Sequence, residues 1–190
     1  MNMLKAIIIH GMSDKKSHYV SAADSQSNRH WIPWLQQQLI ANDILAQTPE
    51  MPIPYEPNYE RWLSVFKQFE VDEDTTLVGH SCGGGFLVRW LTENNVKVRK
   101  VILVAPWIDP AHTVEMFTDF CVGNDLVTKT VKGIIVFNSD NDDASIHESV
   151  KIIRGANKEI KYREFHNYGH FVLKHMETRE FPELLEEAII

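Results

Sequence analysis

The serine at position 81 stands in a pattern that suits a nucleophile. Gly79 and Gly83 flank Ser81 in the stretch "VGHSCGG", an apolar run at 75–80 leads into the serine, and the helix-like run "FLVRWLTE" follows it. A serine on a tight turn between a strand and a helix needs neighbours whose side chains cannot clash. The pattern therefore predicts a serine nucleophile on a tight turn between a strand and a helix. The competing interpretation is a glycine-rich turn that is packed tightly for steric reasons alone.

A serine hydroxyl attacks a carbonyl only when a base takes its proton, and the base in turn needs an orienting carboxylate. His170 in "NYGHF" follows the last strand-like run, and the loop "NSDNDDASIH" after the preceding run offers Asp140, Asp142 and Asp143. In open parallel sheets the reactive groups gather at the carboxyl ends of the strands. The sequence therefore predicts a triad in the chain order Ser, Asp, His, with one of the three aspartates as its acid.

Other chemistries fit these residues less well. His166 lies four residues before His170, but Gly169 and the strand before them disfavour the helix that a metal-binding pair would need. Cys82 is a thiol next to the serine, yet the residue after such a serine points into the start of the helix, where a small packing residue is expected. The aspartate cluster could be a solvated turn with a single functional member. We expect neither a metal nor a cofactor.

Acyl transfer also requires two hydrogen-bond donors for the oxyanion of the transition state. The amide of Cys82 is one candidate, because it would lie at the positive end of the following helix. The amide of Met12 is the other, because His10 and Gly11 in "HGMS" would shape a loop after the first strand-like run. The competing interpretation of this His-Gly pair is an ordinary turn.

Short runs rich in β-branched residues alternate along the chain with stretches of helical periodicity. Nearly continuous apolar runs are typical of strands buried on both faces, and the alternation indicates a parallel sheet covered by helices. The strand-like runs are 5–11, 75–80, 100–106, 133–139 and 160–165, and 46–54 can hold one more short strand before its prolines. The helix-like stretches are 30–40, 59–69, 86–93, 146–153 and 182–190.

Two segments lack a clean period. The segment 12–28, rich in Ser, Asp and Lys, predicts a long surface loop, and 107–132 predicts a small lid. A chain of 190 residues is long enough for one well-buried core and short for two. We therefore expect a single domain over 1–190.

The composition excludes several classes of protein. A hydrophobic fraction of 44% with 24% charged residues is that of an ordinary globular protein. The net charge of −7, with scattered lysines and arginines, disfavours nucleic acid and anionic membranes as partners. Two cysteines make no disulfide framework, and no run approaches the roughly 18 apolar residues of a membrane span. We expect a cytoplasmic protein that acts on a small molecule.

With these residues assembled, the sequence resembles the α/β-hydrolase superfamily, and more closely its small members of the retinoblastoma-binding protein 9 and YdeN type. The resemblance spans nearly the whole chain. Its pieces are the "HG" after the first strand, "WIPWL" at 31–35, the helix around Trp62, "VGHSCGG", "ILVAP" at 102–106, "DDASI" and "GHF". It implies a compact, mostly parallel six-stranded sheet with helices on both faces.

The resemblance also implies which aspartate is the acid. Members of the family carry an Asp-Asp pair whose second aspartate is catalytic, and Asp143 followed by Ala, Ser and Ile146 matches that register; Asp142 is the alternative. The chain departs from the family in its longer loop at 12–30 and in the missing proline after the aspartates.

We therefore expect a serine hydrolase, by default a carboxylesterase of small acyl esters, because little chain remains for a large lid. Ser81, Asp143 and His170 would be its catalytic residues, and the amides of Met12 and Cys82 would form its oxyanion hole. The competing hypothesis is a protein-interaction module that keeps the hydrolase fold with a vestigial triad.

Overall fold

The computed structural model describes residues 3–20 and 24–190, and within them six strands form one parallel sheet. The strands are β1 (Lys5–Ile9), β2 (Leu45–Gln47), β3 (Thr75–His80), β4 (Lys100–Val104), β5 (Ile134–Ser139) and β6 (Lys161–Phe165). Their order is β2-β1-β3-β4-β5-β6, and every neighbouring pair is parallel. The compact, mostly parallel six-stranded sheet predicted from the sequence is confirmed, and all of these strands are parallel.

The apolar runs of the sequence become the middle of this sheet. Every residue of β3, β4 and β5 is buried, because helices cover both faces of the central strands. The edge strands β2 and β6 have mixed burial. The short strand expected within 46–54 ends at Gln47, two residues before Pro49, since proline cannot donate a hydrogen bond to a neighbouring strand.

The helices cover the sheet with their apolar faces. They are α1 (Lys15–His18), α2 (Ile32–Ala41), α3 (Tyr59–Phe66), α4 (Cys82–Glu93), α5 (Ala144–Ala156), α6 (Leu173–Met176) and α7 (Pro182–Ile189). The carboxamide oxygen of Asn58 caps α3 by accepting the N–H of Arg61 at 3.1 Å. Among the described residues, no helix is both long and apolar enough to cross a bilayer.

The segment 12–28 is more than the surface loop that the sequence predicted. It contains α1 and a 3₁₀ turn at Gln26–Asn28, and Gln26 and Ser27 are buried. The N–H groups of these two residues donate to the carboxylate of Glu50 at 3.0 and 2.7 Å. These two hydrogen bonds to one carboxylate hold the end of the segment against the loop after β2. No periodic pattern in the sequence indicates them. Residues 21–23 of the predicted loop lie outside the described residues.

The segment 107–132, where the sequence predicted a lid, lies along α4. Met116 and Phe117 are buried, and the ring of Phe117 meets the ring of Trp107 edge to face at 5.9 Å. The Sγ atom of Cys82 lies 3.8 Å from the sulfur of Met116. The segment is thereby attached to the first turn of α4, and Trp107 at its start lines an open cleft.

The sheet has its topological switch point between β1 and β3. From β1 the chain moves outward to β2 and then returns to place β3 on the other side of β1. The loops that leave β1 and β3 therefore diverge, and such a crevice at the carboxyl ends of the strands is where open α/β sheets bind ligands. Gly11 and Met12 follow β1 here, and Ser81 follows β3.

Candidate active site

Ser81 occupies a strained turn between β3 and α4. Its φ of +53° with ψ of −122° is a conformation that non-glycine residues seldom adopt. The surrounding backbone enforces it: the N–H of Ser81 donates to the carbonyl of Val104 at 2.9 Å. The carbonyl of Ser81 accepts the N–H groups of Gly85 at 3.1 Å and of Trp107 at 3.0 Å. Three fixed contacts thus hold the side chain at the carboxyl end of the sheet.

The glycines around Ser81 are required because backbones approach closely there. A β-carbon at Gly79 would lie 2.6 Å from the Cα of Gly84, and one at Gly83 would lie 2.4 Å from the carbonyl oxygens of Ile9 and His10. Real side chains do not tolerate such distances. The start of α4 therefore crosses the end of β1 closely enough that only glycine fits.

The side chains of Ser81, His170 and Asp142 form one hydrogen-bonded chain. The Nε2 atom of His170 lies 2.8 Å from Oγ of Ser81. Its Nδ1 atom lies 3.0 Å from both carboxylate oxygens of Asp142. The side chain of Asp142 is 1% exposed, whereas that of His170 is 25% exposed. A buried carboxylate on Nδ1 fixes the proton there, so that Nε2 is left as an acceptor for the serine hydroxyl.

The structure corrects the choice of aspartate, because Asp142 and not Asp143 lies against His170. The turn after β5 buries Asp142, while Asp143 is the exposed residue that precedes α5 and lines the open cleft. The third aspartate, Asp140, is paired with His166, whose Nδ1 lies 2.8 Å from its Oδ2. The N–H of Asn167, which donates to Oδ1 of Asp140 at 2.9 Å, and the pair with His166 hold the pKa of Asp140 below its usual range. The same pair raises the pKa of His166.

Side chains at the end of β5 tie the loop of His170 to the loop of Asp142. The hydroxyl oxygen of Ser139 accepts the N–H of Tyr168 at 3.0 Å. The carboxamide oxygen of Asn141 accepts both the N–H of Gly169 at 2.8 Å and the hydroxyl of Ser139 at 2.8 Å. Phe171, the residue after the histidine, is fully buried. The distance between acid and base is therefore set by contacts on both sides.

Three further histidine rings hold the backbone around His170. The Nε2–H of His80 donates to the carbonyl of His170 at 2.9 Å. The Nδ1 atom of His175 accepts the N–H of His170 at 2.9 Å, and Nδ1 of His30 accepts the N–H of Leu173 at 3.0 Å. A ring nitrogen that accepts a hydrogen bond carries no proton, so His30 and His175 are neutral in this arrangement.

Burial keeps two of these rings uncharged. It lowers the pKa of His30 to about 4, helped by the positive charge of Arg29. It also holds the pKa of His80 well below the usual range, and the neighbouring His170 and His30 act in the same direction. At neutral pH His30 and His80 therefore position the loop of His170 without adding charge.

One candidate donor for an oxyanion is the amide of Cys82. Cys82 is the first residue of α4, and the first N–H groups of a helix have no acceptor within the helix. The thiol of the same residue is fully buried, and burial raises its pKa, so it stays protonated. The side chain of Cys82 is therefore a packing group, as the sequence favoured. The group available to an oxyanion is its backbone amide, at the first residue of α4.

The other candidate donor, the amide of Met12, is oriented through His10. The N–H of Met51 donates to Nε2 of His10 at 2.8 Å, so the ring proton lies on Nδ1, which is 2.7 Å from the carbonyl of Gly11 and donates to it. The peptide between Gly11 and Met12 is trans, so its N–H points away from that carbonyl. A β-carbon at Gly11 would be 3.6 Å from Oγ of Ser81, which places this peptide beside the serine.

Comparison with known proteins gives the family of this chain. Residues 19–178 match the model of the serine hydrolase family. The chain belongs to that family. This serine hydrolase is 30% identical over 116 residues to the Bacillus subtilis hydrolase YdeN, an alignment that covers 58% of this chain and 60% of the relative. The resemblance to YdeN-type proteins seen in the sequence is confirmed.

Solved structures show the same fold. The crystal structure of the ydeN gene product from B. subtilis superposes with a TM-score of 0.77 at 25% identity and covers 97% of this serine hydrolase and 96% of that chain. Est1E from Butyrivibrio proteoclasticus gives a TM-score of 0.66 at 18% identity, with 99% and 86% covered. The esterase domain of a Rhodothermus marinus protein gives 0.56 at 15% identity, with 89% and 79% covered.

Two hollows flank Ser81 in this serine hydrolase. The larger is an open cleft of about 460 Å³. The smaller is a more enclosed cavity of about 60 Å³, which lies between the loop after β1 and the loop of His170. The open cleft is lined by Met12, Ser13, Asp14, Trp107, Asp143, Ser145, Ile146 and His170 besides Ser81. The enclosed cavity is lined by His10, Gly11, Met12, Gln26, His30, Ile32, His80, His170 and Val172 besides Ser81.

Sequence reasoning missed several residues of this site. Gln26 and His30 lie in or directly after the aperiodic polar segment, where spacing carries no information about burial. His80 stands within the motif itself, and its position before the serine at the end of a buried strand was a usable signal. The contact between His175 and His170 has no local pattern, because it depends on how the chain turns after β6.

Proposed function

We propose that this serine hydrolase is a carboxylesterase that cleaves small acyl esters through an acyl-enzyme. The observation that carries the proposal is the continuous hydrogen-bonded chain from Asp142 through His170 to Ser81, with 2.8 Å between Nε2 and Oγ. Both contacts lie within hydrogen-bonding distance, which is the geometry that nucleophile activation requires. Membership of the serine hydrolase family supports the same chemistry.

In the first half of the reaction, Oγ of Ser81 forms a bond to the acyl carbon while its proton passes to Nε2 of His170. The carbonyl electron pair moves onto oxygen, and the tetrahedral intermediate then collapses. The bond to the alcohol oxygen breaks, and Nε2 gives its proton to that leaving oxygen. The buried Asp142 stabilises the imidazolium and keeps the ring oriented throughout.

The second half repeats these steps with water. A water molecule gives a proton to Nε2 of His170 as its oxygen bonds to the acyl carbon. The second tetrahedral intermediate collapses, the bond to Oγ breaks, and Ser81 recovers its proton. The products are a carboxylic acid and an alcohol, and the side chains return to their starting protonation states.

The amides of Cys82 and Met12 are the donors that we assign to the oxyanion. Both amides belong to backbone that is fixed before substrate arrives. Helix α4 fixes Cys82, and the hydrogen bond from the His10 ring to the carbonyl of Gly11 fixes the amide of Met12. Donors held in advance stabilise developing charge without reorganisation, and a single such donor is worth about 10²- to 10³-fold in kcat.

The proposal is tested by ester hydrolysis with matched variants. Wild type, Ser81→Ala and the surface control Ser64→Ala are assayed with 4-nitrophenyl acetate at neutral pH. We expect Ser64→Ala to match wild type and Ser81→Ala to lose on the order of 10³-fold or more in kcat/KM. Retention of most of the activity by folded Ser81→Ala would refute the assignment. Absence of hydrolysis of any ester by wild type would favour the interaction module instead.

A further inference from the structure

The two hollows beside Ser81 differ in a way that assigns them to different parts of an ester. During the proposed reaction the alcohol must leave and water must enter while the acyl group stays bonded to Oγ. The open cleft of about 460 Å³ lets the alcohol and water exchange with solvent. The enclosed cavity of about 60 Å³ offers little exchange with solvent, and a group that stays bonded to Oγ needs none. The enclosed cavity therefore suits the acyl group.

The volume of this cavity limits the acyl group to a short one. A water molecule takes about 30 Å³ in the liquid, so the cavity has room for roughly two atoms of that size. This corresponds to two non-hydrogen atoms beyond the carbonyl carbon. The wall formed by Ile32 cannot yield easily, because this residue is 1% exposed and belongs to the packed face of α2.

The cavity also carries a buried donor with no acceptor. Gln26 is 6% exposed, and its Nε2 has no hydrogen-bond partner within residues 3–20 and 24–190. The backbone of Gln26 is fixed by the bond of its N–H to Glu50 at 3.0 Å. Buried polar groups without partners are rare in native proteins and point to a missing ligand or solvent contact.

His30 adds a second neutral donor to the same wall. Its Nδ1 accepts the N–H of Leu173 at 3.0 Å, which leaves the ring proton on Nε2. Burial lowers the pKa of this ring to about 4, so it carries no charge at neutral pH. The cavity thus offers uncharged N–H groups, which suit an uncharged oxygen better than an alkyl chain or a carboxylate.

We infer that the enclosed cavity binds a short acyl group that carries an oxygen atom, of the 2-hydroxyacyl class, and that Nε2 of Gln26 donates a hydrogen bond to that oxygen. This inference rests on the proposed function, because it concerns the group that Ser81 would carry. Gln26 is then a specificity-determining residue, and an acyl group of the same size without the oxygen leaves the donor buried and unpaired.

The test compares two esters of equal size and identical leaving group. Methyl glycolate and methyl propionate differ in a hydroxyl against a methyl group, and their hydrolysis is followed by acid release in a pH-stat. The quantity measured is the ratio of kcat/KM for glycolate to kcat/KM for propionate. Wild type is compared with Gln26→Leu, with Gln26→Met, which keeps an unbranched side chain, and with Gln68→Leu as a surface glutamine control.

We expect the ratio to fall about three- to tenfold in both Gln26 variants, the range of one lost hydrogen bond, and to stay unchanged in Gln68→Leu. The different intrinsic reactivities of the two esters cancel when the ratio of a variant is divided by the ratio of wild type. An unchanged ratio in an active Gln26 variant overturns the inference while leaving the proposed function intact. If neither variant folds, a wild-type ratio no higher than the hydroxide-catalysed ratio also overturns it. Failure of wild type to cleave either ester, together with no reaction at Ser81 with a fluorophosphonate, counts against the proposed function itself.

Discussion

The Nδ1 atom of His170 lies 3.0 Å from each of the two carboxylate oxygens of Asp142. The carboxylate is 1% exposed, and one of its oxygens also accepts the N–H of Asp143 at 2.7 Å. A buried carboxylate held in this way can orient the imidazole and stabilise its positive charge, and the neighbouring Asp143 does not occupy that position. Variants of Asp142 and Asp143 should therefore differ strongly in activity, although the two residues are adjacent.

Replacing Asp142 with asparagine should reduce kcat by on the order of 10³- to 10⁴-fold, because the amide can stabilise the wrong tautomer of His170 and removes the negative charge. Replacing Asp143 with asparagine removes an exposed charge from the open cleft, and we expect a change of less than about tenfold in kcat/KM. Steady-state kinetics on both variants measures this. The opposite ranking would show that Asp143 is the acid.

The His10 ring gives a second prediction, because it acts on the reaction only through the peptide of Gly11 and Met12. In His10→Leu the carbonyl of Gly11 loses its donor, so the Met12 amide is no longer fixed. We expect kcat to fall about ten- to a hundredfold with little change in KM, part of the value of one oxyanion donor. His147→Leu, a histidine that lines neither of the two hollows beside Ser81, is the control. A rise in KM with kcat preserved would place His10 in substrate binding instead.

Stability should decline in acid because of the buried histidines. The pKa of His30 falls from its usual 6.5 to about 4 in the folded protein. Between pH 6.5 and pH 4 the unfolded chain therefore binds a proton at His30 that the folded protein does not bind. The free energy of unfolding is therefore intact above about pH 6.5 and decreases as the pH drops toward 4, by up to about 1.4 kcal/mol per pH unit for one such group.

Urea denaturation at pH 7, 6 and 5 measures this slope. His80 acts in the same direction, since its pKa is also held well below the usual range by burial. We expect the slope to be smaller in His30→Gln, in which the carboxamide oxygen can still accept the N–H of Leu173 but takes up no proton. Equal slopes in the variant and wild type would show that His30 is not the group that titrates.

Chain length on the acyl side gives a fourth prediction. The enclosed cavity of about 60 Å³ should make kcat/KM fall steeply from acetyl to butyryl to hexanoyl esters of one alcohol. Val172, which lines the cavity and is only half-buried, can be shortened without a large loss of stability. In Val172→Ala we expect butyryl esters to gain several-fold relative to acetyl esters. A profile that is flat in wild type would mean that the acyl group lies in the open cleft.

Much of this fold was readable because its signals are local. The run "TTLVGH" is buried at every residue, as its composition indicated. The glycines of "CGGG" fit a helix start whose backbone lies close to the end of β1 at Gly83 and to the backbone of Trp107 at Gly85. Ser81 and His170 were recognisable because a motif and a strand end fix their places. The parallel direction of the strands followed from the alternation of elements, and their number also from the resemblance to a known family.

What the sequence could not decide depends on single-residue geometry and on distant contacts. Asp142 and Asp143 are chemically identical neighbours, and which of them is buried depends on where the turn after β5 ends and α5 begins. The backbone of the buried Gln26 is held by Glu50, 24 residues away, which accepts its N–H. No periodicity within the segment 12–28 could reveal that anchor.

The measurement that tests the central claim most directly is covalent labelling of the folded protein with a fluorophosphonate, followed by intact mass and peptide mapping. Activation of Ser81 by His170 predicts one adduct, located on Ser81, that is absent from Ser81→Ala and forms far more slowly in His170→Ala. Circular dichroism of each variant verifies that it is folded. A folded wild-type protein that gains no adduct, or gains one on another residue, would contradict the claim that these side chains form a working nucleophile.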